Sequence, residues 1–362
     1  MMRLMITTMR DEAPFILEWI AYHRLIGFTD FLIYSNDCAD GTDAMLDRLA
    51  ELGIVTHVPN PRRGRKTVQW QALTRARNHR LTRRAEWIMV ADVDEFLVIH
   101  AGEGRLDDLF AAVPDATGFA VPWRMFGSSG RIRFEEELVT AQFTRAAPDR
   151  MLWPLRAGQF KSLFRRDPRL VRLGVHRPLT EEGEPVPGQW VDGNGRPFTL
   201  TDSSFAVTAQ ERYGLAQINH YALGSTENFL VKMARGRPNH MDRPIDLGYW
   251  VERNFNAIED RRILRYLDGL RAGVEAFLAD DVLGRLYWQA IAWRRRRIAE
   301  ALTDHQQFLL FTRLVQCPDT PVLPMELQME LHRMRLQAHP VKKPPRPRHE
   351  TDADTQRRDV NS

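Results

Sequence analysis

Asp92 and Asp94, followed at once by Glu95, place three carboxylates at the end of the apolar run Trp87-Ile88-Met89-Val90-Ala91. In an extended chain alternate side chains share a face. Asp92 and Asp94 would then point the same way and offer oxygen ligands to one hard divalent cation, Mg²⁺ or Mn²⁺. Such a cation takes one or two carboxylates and completes its shell with phosphate oxygens or water. Acids at the carboxyl end of a short buried strand also stand where open α/β sheets hold their ligands. An acidic surface turn is the plainer account of so short a pattern, and the surrounding elements decide between the two.

Those elements alternate. Residues 4–8 read as a first strand, and Pro14 opens a helix with Phe15, Ile16, Trp19, Ile20 and His23 at amphipathic spacing. Residues 31–34 form a second strand, and a polar loop over 35–42 leads into a helix near 44–52. A third strand over 54–58, a long arginine-studded helix over 67–84 and a fourth strand over 87–91 complete the pattern. Alternation at these intervals predicts an α/β fold: a Rossmann-type, mostly parallel sheet flanked by helices. Beyond Phe96 it loosens to a helix over 106–113, a strand over 118–124 and a small-residue turn over 127–130. The order of elements from 135 to 205 does not follow from pattern. A strand over 217–222 and a helix over 226–235 come next, and residues 249–336 read as a helical C-terminal extension.

The chain has 362 residues, 43% hydrophobic and 27% charged, enough for one large or two smaller domains. A formal charge of +4 suits a polyanionic ligand or a membrane surface without requiring either. Cys38 and Cys317 share no metal-ligand spacing and are expected as free thiols in a reducing compartment. Charge interrupts the N-terminal apolar stretch at Arg10, and no uncharged run reaches about 18 residues, so a cytoplasmic protein without membrane spans is expected. The run Arg294-Arg295-Arg296-Arg297 and the Pro- and Lys-rich end suggest peripheral contact with the inner face of a membrane. Simple solvation of those helices is the competing account. Residues 338–362 are expected to be a disordered tail.

Four segments, in order, resemble the nucleotide-sugar half of GT-A-type glycosyltransferases, nearest the family 2 and family 92-like group. Thr8-Met9-Arg10-Asp11-Glu12 with Trp19 is similar to that group's opening strand and helix. Asp37-Cys38-Ala39-Asp40-Gly41-Thr42 resembles its D-G-T loop, Arg75-Ala76-Arg77-Asn78 its A-R-N helix, and Asp92-Val93-Asp94-Glu95-Phe96 its D-x-D-E-F. Phe160 to Phe164, Gly174 to Pro178 and Asn219-His220-Tyr221 with Lys232 and Arg235 extend the likeness to about residue 240. The resemblance implies a nucleotide-diphosphate sugar donor, a UDP-sugar, a glycan or lipid-linked acceptor, and Mn²⁺ or Mg²⁺. It implies metal ligation by Asp94 and Asp92, with Asp92 also orienting the donor and His220 completing the metal's shell. It further implies donor contacts from Asp37, Arg10, Arg77 and Lys232, with Arg235 also near the diphosphate. His176 is the one candidate for a catalytic role, against a loop-ordering hydrogen bond. The implied division is residues 1–100 as the donor half, 101–245 as the acceptor and metal-completing half, and 246–337 as a helical region.

An inverting transfer needs a carboxylate base, and neither Glu135-Glu136-Glu137 nor Asp202 matches a family motif, so the base stays unassigned. Three alternatives compete. A DxD phosphotransferase would want Thr or Val where Phe96 stands. A sugar-nucleotide nucleotidyltransferase would want a glycine-rich loop where residues 8–14 have none. A nucleic-acid-binding protein would want aromatic-interleaved RNA motifs or zinc spacing, so no nucleic-acid partner is expected.

Overall fold

A computed structural model describes residues 1–64, 67–182, 184–201, 212–235 and 245–338. The first half runs β1 (Arg3–Met9), α1 (Ala13–Leu25), β2 (Asp30–Ser35), α2 (Thr42–Glu51), β3 (Thr56–Pro59), α3 (Val68–Arg77) and α4 (Arg80–Arg84). It continues through β4 (Trp87–Val90), β5 (Glu95–Ile99), α5 (Leu106–Ala112), β6 (Gly118–Met125), α6 (Val139–Gln142), β7 (Arg145–Ala146) and β8 (Phe160–Arg165). Then follow β9 (Trp190–Asp192), β10 (Ala216–His220), α7 (Thr226–Arg235), α8 (Leu247–Val251) and β11 (Ile258–Glu259). The C-terminal helices are α9 (Leu267–Leu278), α10 (Asp281–Thr303), α11 (His305–Gln316) and α12 (Met325–Ala338).

The main sheet has the order β3-β2-β1-β4-β8-β6-β10-β5, with β9 beside β6. Five of its eight strand pairings are parallel. This is the mostly parallel, helix-flanked sheet expected from the alternation, with the helical C-terminal region behind it. Strand periodicity divides the core. Met5, Ile33 and Met89 point to one face, with Ile16, Leu46, Leu270 and Ala290 of α1, α2, α9 and α10. Leu4, Ile6, Leu32 and Val90 point to the other, with Ala72 and Leu73 of α3 and Leu81 of α4. A sheet covered on both faces explains why its strands read as continuous apolar runs.

Two expectations need correction. The single helix over 67–84 is two, because Asn78 ends α3 and the His79 ring accepts from the Leu81 amide at 3.3 Å to start α4. The residues after Asp94 are a further buried strand, β5, at the end of the sheet order. An edge strand leaves carbonyls unpaired. Helix α1 covers this one: Trp19 Nε1 donates to the Glu95 carbonyl at 3.0 Å and Tyr22 Oη to the Leu97 carbonyl at 2.9 Å. The tryptophan of the opening helix therefore holds the strand that begins with Glu95. Among the described residues, no helix is long and apolar enough to cross a membrane. The tail expected from residue 338 lies, beyond Ala338, outside the described residues.

At the start of β6, Gly118 is pressed against the Trp190 ring, where a Cβ would lie 2.5 Å from ring carbons. Gly118→Ala should therefore lower stability by about 1–3 kcal/mol, the usual range for overpacking. Thermal or denaturant unfolding checks this; an unchanged midpoint would show that the indole shifts without cost.

His23 supplies a pH-dependent term. Its Nδ1 donates to the Trp19 carbonyl at 2.9 Å, the ring is fully buried, and burial brings its pKa from 6.5 down to about 3. The unfolded chain takes up this proton at a higher pH than the folded one. The contribution is intact above about pH 6.5 and is lost as pH falls toward 3, a penalty of about 2 kcal/mol at pH 5. His23→Phe should lose less stability than the wild type between pH 6.5 and 5. Parallel unfolding midpoints across that range would refute the assignment.

Candidate active site

Parallel pairing brings the carboxyl ends of β1, β2 and β4 together, and a cavity of about 320 Å³ opens there. Arg10 follows β1, Asp37 follows β2, and Asp92 and Asp94 follow β4; all four line the cavity. The loops entering it are braced. Asp40 accepts from the Ala13 amide at 2.9 Å and from Thr42 Oγ1 at 2.6 Å, tying the D-G-T loop to the start of α1. Ser35 Oγ contacts His57 Nε2 at 2.7 Å, and His57 Nδ1 contacts Asp47 at 2.7 Å. Ser35 is buried and lines neither this cavity nor its neighbour, so the Ser-His-Asp chain is a strut beneath Asn36 and Asp37, not a nucleophile.

Asp92 and Asp94 do not lie on one extended strand. Residues 92–95 form a turn in which the Glu95 amide donates to the Asp92 carbonyl at 3.0 Å and the Asp92 amide to Glu95 Oε2 at 2.9 Å. The turn sends the carboxylates to different partners. Asp92 accepts from Gln69 Nε2 at 3.1 Å and from Lys161 Nζ at 3.0 Å. Lys161, fully buried on β8, also reaches Glu95 Oε2 at 3.1 Å. Asp94 accepts from Lys232 Nζ at 2.6 Å, and its other oxygen lies 3.8 Å from His220 Nε2.

Asp94, Glu95 and His220 each bring one donor atom within 4.8 Å of the others. β5 and β10 place Glu95 and His220 directly opposite one another in their ladder. Glu95 Oε1 and His220 Nδ1 are buried and have no hydrogen-bond partner among the described residues. Unpaired buried polar atoms are costly, and the orphaned Glu95 oxygen, in one cluster with the His220 Nε2 that faces Asp94, suits a ligand that accepts oxygen and imidazole donors, as Mn²⁺ does. The donor set fits a divalent cation. It contains Glu95 where Asp92 was expected, because Lys161 and Gln69 already engage the Asp92 oxygens.

Electrostatics follow from burial and pairing. Burial works against ionising Asp94, but the Lys232 ammonium outweighs it and holds the carboxyl below its ordinary range. Burial pushes Glu95 well above its ordinary value, partly countered by Lys161. Burial brings His220 down to about 3, which leaves a neutral ring with a lone pair. The Trp123 ring packs 4.2 Å from it and fixes its orientation.

The other expected residues divide. His176 lines the cavity, and its Nδ1 donates to the Phe160 carbonyl at 2.9 Å, so the loop-ordering bond is present and Nε2 carries the lone pair. Burial and the nearby Lys161 ammonium bring it down to about 4. Lys232 and Arg235 line the cavity from α7. Arg235 pairs with Glu12 and donates to the Arg10 carbonyl at 2.6 Å. Arg77 is not brought to the site. The inward face of α3 carries Val68, Gln69, Ala72, Leu73 and Ala76, which leaves Arg77 exposed at its end. Asp202 lies outside the described residues.

Sequence reasoning assigned no role to Gln69, Lys161 or Glu95, nor to Tyr249 and Arg253 of the C-terminal region, all but Lys161 and Glu95 lining the cavity. The signal for Lys161 was a lysine inside the otherwise apolar strand Phe160-Lys161-Ser162-Leu163-Phe164. Tyr249 and Arg253, one helical turn apart and with the guanidinium 3.6 Å from the ring centroid, gave no motif.

A second cavity of about 50 Å³ backs onto the first, with Glu12, Val93, Asp94, Lys232 and Arg235 lining both. Its remaining walls include the aromatic rings of Phe15, Phe96, Phe134, Phe143 and Tyr221, and Glu135 also lines it. Glu135 pairs with Arg131 at 2.8 Å, and Glu136 with Arg295.

Comparison with known proteins agrees with the four ordered segments. The family model for glycosyltransferase family 92 matches residues 6–186. A glycosyltransferase family 92 protein of Oryza sativa subsp. japonica is 28% identical over 184 residues, 48% of this chain and 29% of that protein. One from Ricinus communis is 28% identical over 143 residues, 38% of this chain and 25% of that protein. The chain thus spans less than a third of the length of the curated relatives it matches. Among solved structures, S. aureus TarS 1-349 in complex with UDP aligns over 46% of this chain and 47% of its own at 14% identity, with a TM-score of 0.27. With half its length matched by the family model, the chain belongs to glycosyltransferase family 92.

Proposed function

We propose that this chain is a metal-dependent glycosyltransferase that moves a sugar from a nucleotide-diphosphate donor, a UDP-sugar, to a glycan or lipid-linked acceptor. One observation carries the reading. The Asp94-Glu95-His220 cluster, with its unpartnered buried Glu95 oxygen, adjoins a 320 Å³ cavity also lined by Arg10, Lys232 and Arg253. Breaking a glycosyl–phosphate bond leaves growing negative charge on a diphosphate, and fixed cations lower the cost of that charge. A divalent cation held by Asp94, Glu95 and His220 would supply Lewis-acid stabilisation of the leaving group. Lys232 and Arg10 are placed to bind the phosphates, and Asp37 with Asn36 to hold the nucleoside at the end of β2. Asp92, locked to Lys161 and Gln69, orients the donor instead of ligating metal.

We read the displacement as inverting, with the acceptor hydroxyl arriving from the side of the second cavity. Of Glu135, Glu136 and Glu137, the first lines that cavity. The phosphotransferase alternative is disfavoured because both Asp92 oxygens are engaged, which removes an open nucleophile.

The test is release of nucleotide diphosphate from a panel of UDP- and GDP-sugars, with and without Mn²⁺ or Mg²⁺. Mn²⁺-stimulated release from at least one donor is expected. Absence of release from every donor, together with no donor-induced rise in unfolding temperature, would sink the reading.

A further inference from the structure

The Lys232 ammonium lies 2.6 Å from Asp94 Oδ2 and 2.7 Å from the Ala222 carbonyl, on the partition between the two cavities. It therefore occupies one oxygen of a proposed metal ligand. We propose that Lys232 is a resident counter-cation of this site: it holds Asp94 in the ligand-free protein and releases it when a divalent cation and a diphosphate bind together. The proposal rests on the reading above and deepens it by coupling the binding of the two ligands through one side chain.

Charge balance carries the argument. Asp92, Asp94 and Glu95 face two ammonium groups, those of Lys161 and Lys232. Lys161 is fully buried and bonded to two of the acids, so it stays. Lys232, on α7 at the cavity wall, is the one that can turn. With it on Asp94 that carboxylate is already neutralised; with it removed, the Asp94 charge is free to face a dication. A displaced ammonium also needs an anion, because an unpaired charge in a poorly solvated wall is costly. Glu12, the other acid of the partition, is already paired with Arg235. A diphosphate entering the donor cavity supplies the missing anion while the stem of Lys232 stays anchored on α7. Cation and diphosphate thus each remove the obstacle to the other, which is a positive coupling and must be reciprocal.

The experiment measures Mn²⁺ binding to the full chain by calorimetry or electron paramagnetic resonance, alone and with saturating UDP, in the wild type and in Lys232→Met and Lys232→Gln. In the wild type UDP should tighten Mn²⁺ on the order of 10-fold or more, and Mn²⁺ should tighten UDP by the same factor. In the variants Mn²⁺ alone should bind on the order of 10-fold tighter than to the wild type, and the effect of UDP should shrink by a similar factor, leaving the part that comes from phosphate oxygens entering the metal's shell. Wild-type Mn²⁺ affinity that ignores UDP would overturn the proposal whether or not the variants fold. So would variants that bind Mn²⁺ no better than the wild type, or a protein that binds UDP but never Mn²⁺, in which Lys232 would be a permanent replacement for the metal. Tighter Mn²⁺ in the variants with no sugar transfer by the wild type would uphold the lysine's role and reject the transferase reading.

Discussion

Asp94→Asn is expected to lower Mn²⁺-dependent donor cleavage on the order of 10²–10³-fold, the range seen when a preorganised charge at a reacting centre is removed. Asparagine keeps the shape of the side chain, so the turn from Asp92 to Glu95 should survive. What is lost is the anion that faces Lys232 at 2.6 Å and contributes one donor atom to the Asp94-Glu95-His220 cluster. Mn²⁺ affinity should fall with activity. Asp92→Asn is the informative contrast. Its oxygens face Gln69 and Lys161, so Mn²⁺ affinity should change little while donor KM rises. Paired Mn²⁺ titrations and steady-state kinetics decide the matter. If Asp92→Asn loses Mn²⁺ as severely as Asp94→Asn, the first acid is a ligand and the assignment of Glu95 in its place is wrong.

The second large effect is on stability. Lys161 has no exposed surface and lies between Asp92 and Glu95 at 3.0 and 3.1 Å. Lys161→Met strips the cation from a buried carboxylate and should cost about 3–5 kcal/mol, the usual penalty for removing one member of a buried pair. The companion Lys161→Met/Glu95→Gln leaves no stranded charge at residue 95 and should recover much of the loss. Urea midpoints of the three proteins supply the comparison. An unshifted midpoint for Lys161→Met would mean that the ammonium contributes nothing net and that the acids protonate without cost.

How much of this was visible in the chain depends on how local each feature is. The Asp40-Gly41-Thr42 loop, helix α1 and the helix over 226–235 are local, and their caps and periodicity announced them. The alternation up to Ala91 likewise delivered Asp92 and Asp94 to the sheet's carboxyl edge. Strand β5 was missed because its apolar run directly follows the acids, with no glycine or proline between them. Its partner β10 is remote in sequence, and no local pattern reports such a pairing. The same remoteness hid Lys161, whose role exists only because β8 enters antiparallel beside β4. Arg77 failed for a simpler reason. A motif names neighbouring residues together, but a helix turns them to different faces, and Gln69 two turns earlier takes the inward position.

The ladder between β5 and β10 has a consequence for how the protein is made. Glu95 and His220 meet as directly opposed rungs, although most of the second half of the sheet is synthesised between them. Closing so long a loop is entropically demanding, so this pairing belongs to the late, non-local part of folding. A nascent chain released only as far as residue 186, where the family match ends, would already possess Asp92, Asp94 and Glu95. It would lack both the imidazole and the Lys232 ammonium, and β5 would have no strand partner. The acidic stretch acquires its imidazole and its second ammonium only when β10 and α7 have been made, so the cluster is completed as one of the last events of folding.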